Sequence, residues 1–483
     1  MTAKRLSFRR TTATALLLLT SGLANPAMAE TLQGALAKAY ASNPTLTGAR
    51  AGQRATDENV PIQKASGRPS VQSQAQFQEL VVRPSNSFLA PHRSASASVS
   101  IDVPIYQGGA VRDGVKAAKT RVEAGQANLR GTEASIFSQV VGAYMDVIRD
   151  SAIVSLNLAN INVLNTNLQA SNDRFEVGDL TRTDVAQSQS RLALAQSDLQ
   201  NAQANLIASR ENYIALVGEA PDNLEAPPIL PGLPETPEAA VQVALADNPD
   251  ILSAQKAREA ARYDVKVAKA GSLPTLSGFT QGSYTDYMDS DIAANKQAAV
   301  GATLAIPLYQ GGRPAAQVRQ RQAQESQAME QQIEVERGVI AQTRSAFASW
   351  QASLNAIESN QKAVDASGLS LEGVRAENSV GSRTILDILD AEQEALRARV
   401  QLVTVRRNAY VAGFSLLAAM GHAQADDLGL ESGTLYDPTV NYGRVKGKWF
   451  DWDYDAAPMP LATRTVDTLP QNANVSPDAA QRP

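Results

Sequence analysis

The side chains in this sequence best placed to do chemistry are acids at helical spacing rather than nucleophiles or metal ligands. Asp387 and Asp390 stand at i and i+3 just after a predicted helix start, which puts both carboxylates on one face. Acids so placed either favour the positive end of the helix dipole or draw cations to a shared surface. The matching place 203 residues earlier holds Asp184, but Gln187 stands where Asp390 has its counterpart, so the charge is doubled once only. A purely capping role does not call for that doubling. Catalysis has little to work with, because the chain has no cysteine and only His92 and His422, too few for a zinc site or a histidine-based mechanism unless both meet among carboxylates. Tyr-Gln-Gly-Gly at 106 and 309 lacks a Lys or Ser/Thr at nucleotide-loop spacing, and Gly447-Lys448 is followed by Trp449. These features point to a protein that is not an enzyme, takes no cofactor or metal, and draws any energy it uses from a partner.

The helix that carries the two aspartates belongs to a chain written twice. Ala41-Ser42-Asn43-Pro44 is echoed by Ala246-Asp247-Asn248-Pro249, and Pro104-Ile105-Tyr106-Gln107-Gly108-Gly109 returns as Pro307-Leu308-Tyr309-Gln310-Gly311-Gly312. From the second match an offset of 203 holds without a gap, pairing Val177-Gly178 with Val380-Gly381, Asp184 with Asp387 and Gly218 with Gly421. The copies occupy 30–225 and 238–425, joined by the Pro-rich stretch 226–237. Each predicts a helix (44–66, kinked or shortened by Pro61, or 249–271), two strands, a long helix (about 110–171 or 313–375), a turn, and a helix (about 181–218 or 384–421). The two shorter helices of a copy total 61 residues, against 62 and 63 for the long ones. They are expected to stack end to end along one antiparallel neighbour, in a hairpin roughly 90 Å long at about 1.5 Å per residue. Val185, Leu192, Leu199, Leu206 and Tyr213, and again Leu389, Leu396, Val403, Tyr410 and Leu417, recur every seven residues as coiled-coil seams.

The strands alternate. Val71, Ser73, Ala75 and Phe77 oppose Gln72, Gln74, Gln76 and Gln78, while Ala95, Val99, Ile101 and Val103 oppose Ser94, Ser96, Ser98, Ser100 and Asp102. Val300, Ala302, Leu304 and Ile306 repeat the apolar face, whereas 276–284 alternates poorly. A barrel with lipid outside and water inside has this pattern, although a soluble sheet with one wet face fits any single strand equally. Compartment tilts the choice. Residues 1–29 carry Lys4, Arg5, Arg9 and Arg10, a short apolar run and Ala27-Met28-Ala29, the form of a cleaved export signal. No later run of 18 apolar residues exists, so a membrane would be entered by strands. Four strands cannot enclose a lumen, whereas eight to twelve can, so several chains must share one barrel. Removing four of the 44 basic residues leaves 40 against 49 acids, a net charge of −9, which argues against nucleic acid as a partner.

The duplicated order of elements, and above all the stretch Val380-Gly381-Ser382-Arg383-Thr384-Ile385-Leu386-Asp387-Ile388-Leu389-Asp390, resembles the TolC-like outer-membrane efflux proteins over about residues 31–425. The resemblance implies a mainly α fold with membrane β. Long antiparallel coiled-coil helices would form a periplasmic α-barrel, and four strands per chain would contribute to a shared trimeric 12-stranded β-barrel. It further implies an exit duct in the outer membrane, extending into the periplasm, that passes proteins or small toxic compounds. Its partners would be two more copies of the chain, outer-membrane lipid, a periplasmic adaptor (membrane fusion) protein and an inner-membrane transporter, ABC or proton-driven. The same resemblance puts Asp387 and Asp390 at the pore constriction, where three chains would crowd six carboxylates and raise some of their pKa values. It puts Asp184 and Arg383 at the ties that close the tunnel tip, with Asn378 standing where the family pattern has Tyr. With no cysteine to carry lipid, the chain resembles the TolC branch. Residues 426–455 are expected near the tunnel's middle, with Lys448 to Trp452 packed there, and 456–483 reads as a disordered tail. The alternative reading is a periplasmic coiled-coil adaptor or scaffold protein without a barrel.

Overall fold

The computed structural model describes residues 30–82, 91–288, 291–430 and 435–475, so the expected export signal at 1–29 and the end of the tail at 476–483 lie outside it. The first copy runs α1 (Leu32–Ser42), α2 (Pro44–Asp57), α3 (Asn59–Ala65), β1 (Ser70–Glu79), β2 (Arg93–Gln107), α4 (Ala110–Glu176) and α5 (Arg182–Val217). The second runs α6 (Pro237–Asp247), α7 (Pro249–Ala270), β3 (Thr275–Asp286), β4 (Asn295–Ala305), α8 (Arg313–Ser379) and α9 (Ile385–Met420), and α10 (Pro438–Val445) follows. The helix expected at 44–66 is broken at Glu58, just before Pro61 enters the first turn of α3. The long helices reach further than their patterns suggested, to 67 residues each, or about 100 Å. Helices α1 and α6 were not expected at all, being 11 residues each and lying against the Asn-Pro junctions.

Those junctions are what stacks the short helices end to end. Asn43 accepts hydrogen bonds through Oδ1 from the backbone N–H of Thr45 (2.9 Å) and Leu46 (3.3 Å), capping α2, while its Nδ2 donates to Leu216 O at the end of α5 (2.9 Å). Asn248 does the same in copy two, capping α7 and donating to Ala419 O at the end of α9 (2.9 Å). One amide thus satisfies the free N–H groups of one helix and a free carbonyl of the next. Asn43→Ala or Asn248→Ala is expected to cost about 1–2 kcal/mol each, read as a lower thermal midpoint of the detergent-solubilised protein. An unchanged midpoint in both variants would mean the junctions hold without the amide.

The helices stand in four columns. The long α4 is flanked by α2 and α5 on one side and by α7 and α9 on the other, and α8 lies beyond α7 and α9. All ten heptad residues from Val185 to Tyr213 and from Leu389 to Leu417 are buried or half-buried. Yet the two long helices, equal in length, differ greatly in cover: 24 residues of α4 are buried and only five of α8. A helix 67 residues long with one covered flank is the edge column of a wall. The main core lies midway along the wall, where Leu36, Phe137, Val140, Tyr144, Leu206, Tyr213 and Phe414 pack together. There the Tyr144 hydroxyl lies between Glu30 O (2.8 Å) and Glu225 O (2.6 Å), both within hydrogen-bond reach of its one proton, pinning the chain on both sides of the first copy.

The wall continues into an antiparallel sheet of order β1-β2-β3-β4. The register aligns Val71 with Ile101, Ile101 with Thr280, and Thr280 with Val300, which gathers the apolar residues on one face. It also explains why β3 alternates poorly. Its apolar face is filled by Gly278, Thr280 and Gly282, while Phe279 sits on the polar face opposite Gly301, where an added Cβ would come within 2.8 Å of the Phe279 ring. The switch from strand to helix is made by Gly108-Gly109 and Gly311-Gly312, all at φ between +59° and +88°, a region in which only glycine is unstrained. Strands β1 and β4 are the open edges of the sheet.

The C-terminal segment departs from expectation. It begins in the mid-wall core, with Ala425 N donating to Glu133 (2.6 Å), then climbs along α2, where Asn441 donates to Asp57 (2.7 Å). It reaches the foot of the sheet, where Lys64 and Arg68 donate to Lys446 O (2.6 Å) and Lys448 O (2.7 Å). Lys448 to Trp452 are therefore not packed at the middle of the wall. Residues 456–475 carry only a single 3-10 turn at Thr465–Asp467. Even so, the expected disorder is corrected at 471–474, where Gln471 N donates to Glu211 (3.0 Å) and Arg210 donates to Asn472 O (2.5 Å) and Asn474 O (2.8 Å).

Candidate pore constriction and tunnel tip

At the end of the wall remote from the sheet, α4 turns into α5 and α8 into α9. Both turns are built alike, with Gly178 and Gly381 at φ +84° and +79° and a Thr that begins the returning helix. Thr181 and Thr384 are N-caps of complete capping boxes, and the acids that close the boxes are Asp184 and Asp387. Asp184 accepts from Thr181 N–H (2.9 Å) and Oγ1 (2.7 Å), and Asp387 from Thr384 N–H (2.8 Å) and Oγ1 (2.7 Å). These bonds from the threonine hydroxyl, and then from its N–H, hold both carboxylates below their usual range. The crowding expected at Asp387 predicted a rise. Within one chain the shift runs the other way, because the cap supplies donors to the charged form. A depressed carboxylate pKa means the cap's contribution is present above the ordinary carboxylate range and is lost as pH falls through the lowered value.

Asp390 has a different partner. Its Oδ1 accepts from Arg191 Nη2 (2.5 Å), and the same guanidinium donates through Nη1 to Gln393 (2.5 Å), so a side chain on α5 bridges to α9. Arg191 joins one copy's hairpin to the other's. Sequence reading missed it, since spacing links residues of one helix and is silent on which helix lies opposite. At Gln187, the counterpart of Asp390, Oε1 is buried without a hydrogen-bond partner among the described residues. An ionised Asp there would lose water with no cation in exchange, which accounts for a neutral residue in copy one.

Arg383 is held within its own hairpin. Its Nε donates to Glu377 (2.7 Å), Asp387 lies 3.9 Å from Nη1, and these two acids, Glu377 first, raise its pKa. Asn378 donates to Arg383 O (2.8 Å) and so clamps the turn. Among the described residues of a single chain no ion pair joins Asp184 to Arg383. Of the two histidines, His92 lies beside Glu79 (3.8 Å) and His422 beside Asp247 (3.0 Å).

A wall of four helical columns that runs directly into four membrane-type strands, with acids at its far tip, defines the subunit of a channel-tunnel. Comparison with known proteins identifies the lineage. The profile described as outer membrane efflux protein matches residues 35–219 and 240–422, and the chain belongs to that family. The outer membrane efflux protein BepC of Brucella suis biovar 1 (strain 1330) is 35% identical over 425 residues, covering 88% of this chain and 92% of that protein. The outer membrane protein TolC of Escherichia coli (strain K12) is 29% identical over 304 residues, 59% of this chain and 61% of that protein. In fold, the crystal structure of VceC from Vibrio cholerae matches with a TM-score of 0.70 at 23% identity, covering 81% of this chain and 96% of that chain. The protein is thus an outer-membrane efflux channel with its helical tunnel in the periplasm, a member of a family of channels rather than enzymes. Channels of this kind are trimeric and work with adaptor proteins and inner-membrane transporters.

Proposed function

We propose that three copies of this chain close a continuous duct whose gate is the ring of hairpin tips, with Asp387 and Asp390 at its narrowest point. The observation that carries the reading is the coincidence of open flanks. The sheet is open at β1 and β4, and the helical wall has no further column beyond α2 and α5 on one side or beyond α8 on the other, so one copy's β4 and α8 can meet the next copy's β1, α2 and α5. Three fourfold arcs then make twelve strands and twelve columns, with no edge left exposed. Lipid covers the apolar face of the barrel. Val177 and Val380, exposed at the two free tips, offer apolar contacts to a periplasmic adaptor, which connects the duct to an inner-membrane transporter, ABC or proton-driven. A wide, water-lined wall binds its cargo weakly, so proteins and small toxic compounds can both pass.

In this reading Asp184 and Arg383 tie neighbouring hairpins in the closed state, using donors and acceptors left over from their contacts within one chain. Arg383→Ser and Asp184→Ala are each expected to raise single-channel conductance in planar bilayers by roughly twofold or more, since a closed state held by few polar contacts lies only a few kcal/mol from an open one. Unchanged conductance in both variants would show that these residues do no more than cap and clamp their own turns.

A further inference from the structure

The climb of the C-terminal segment ends in an unusual surface. Arg68, two residues before β1, donates to Lys448 O and lies 4.4 Å from the centre of the Trp449 ring. Beyond it Phe450, Trp452 and Tyr454 alternate with Asp451, Asp453 and Asp455. Two of the acids are turned to cations of their own segment: Asp453 pairs with Lys448 (3.1 Å), and Asp455 with Arg444 (2.6 Å) and Lys448 (3.4 Å). The Arg444 guanidinium holds the Asp455 carboxyl down at about 2. The aromatic rings are left outward, with Trp449 58%, Phe450 75%, Trp452 82% and Tyr454 80% exposed. Four large rings open to water within six residues form an apolar patch that a soluble surface does not keep without a use.

The position of the patch indicates the use. The apolar face of the sheet does not stop short of the helices. Ile105 and Tyr106 at the end of β2, and Ile306, Leu308 and Tyr309 just after β4, are exposed at the foot of the sheet, immediately before the glycine pairs. The lipid-facing surface of the barrel therefore extends down to the level of Arg68 and Trp449. Rings that are apolar on one side and carry a polar N–H or O–H prefer the boundary between headgroups and acyl chains.

We infer that the rings of Trp449, Phe450, Trp452 and Tyr454 are an interfacial anchor, bedded among the phospholipids of the periplasmic leaflet of the outer membrane, which widens the lipid contact of the barrel below its own strands. The occupant is lipid because the patch continues an interface that is already lipid-facing. The paired acids remain outside it, with their charges met by Lys448 and Arg444. The inference rests on the outer-membrane placement of the barrel.

The chain has three tryptophans, Trp350, Trp449 and Trp452, which makes a direct test practical on the full-length protein in proteoliposomes. Trp350→Phe with Trp449→Phe leaves Trp452 as the only indole. Its fluorescence is expected to fall by roughly half or more in phosphatidylcholine brominated close to the glycerol end, and to be several-fold less quenched by acrylamide than a free indole. Trp350, alone in the companion variant and packed beside Phe347 on α8, is expected to ignore the brominated lipid. Quenching of Trp452 by acrylamide but not by lipid would overturn the anchor. So would shielding from both, which would assign the patch to a neighbouring chain. Val300→Trp on the lipid face of β4, in a background with all three tryptophans changed to Phe, reports insertion independently. If it is quenched by brominated lipid while Trp452 is not, the anchor fails and the barrel stands.

Discussion

The channel is expected to favour cations and to be blocked by di- and trivalent ions from the periplasmic side, and Asp387→Asn combined with Asp390→Asn is expected to abolish the preference and weaken the block by at least about tenfold. The exchange removes charge at nearly constant volume, so a neck that acts by size alone would behave as before. The structure separates the two positions further. At Asp387 the amide oxygen of Asn can still accept from Thr384, so the single variant should lose charge and keep its cap. At Asp390 the charge is partly met by Arg191, and Arg191→Gln should therefore act with the opposite sign, strengthening cation preference and block. Because the Asp387 pKa is lowered, cation preference should persist to a pH below the ordinary carboxylate range and then fall. Current-voltage measurements under a salt gradient, with trivalent ions added on one side, read all of this. Retained selectivity and block in the double variant would place the constriction elsewhere, leaving these acids as helix starters.

Gly421→Ala should destabilise the protein by about 3–4 kcal/mol and Gly218→Ala by only about 1–2 kcal/mol, although the two glycines occupy matching positions. Both end a helix in the left-handed region, at φ +86° and +91°, and both variants bear that strain. They differ in what a Cβ would meet. At Gly421 it would lie 2.5 Å from Asp247 O and 2.8 Å from Asp247 C, backbone atoms that cannot rotate away. At Gly218 it would meet Thr463 Oγ1 at 2.6 Å and Ser42 Oγ at 3.2 Å, side-chain atoms that can. Thermal unfolding of the two variants in one detergent compares them. Equal losses would mean that the α6 end at the second junction yields as easily as a side chain.

The candidate site was legible only in part. The Thr-x-x-Asp spacing that makes Asp184 and Asp387 capping acids is local, and it could be read as a helix start from four consecutive residues. Arg191 could not be found this way. It acts on Asp390 from another helix, 199 positions away in sequence, and nothing in the spacing of either helix singles out one arginine of α5 over its neighbours. The route of the C-terminal segment was hidden for a related reason. Its contacts to Arg68, Asp57 and Arg210 are isolated polar pairings with no period.

What the sequence by itself determined is everything that repeats or is local. The duplication, the strand-to-helix switches at paired glycines, the helix starts at Asn-Pro, the seven-residue seams and the alternating strands all follow from backbone preferences and from the 2, 3.5 and 3.6 periods of strand, coiled coil and helix. Tertiary structure alone decided which of two matched long helices became the inner column and which the edge. The two have the same length and start, but packing places columns on both sides of α4 and on one side of α8, so burial is set by place in the wall. It also decided that one aspartate of the pair caps its helix while the other reaches a cation on a different hairpin, because that choice depends on which helices lie side by side.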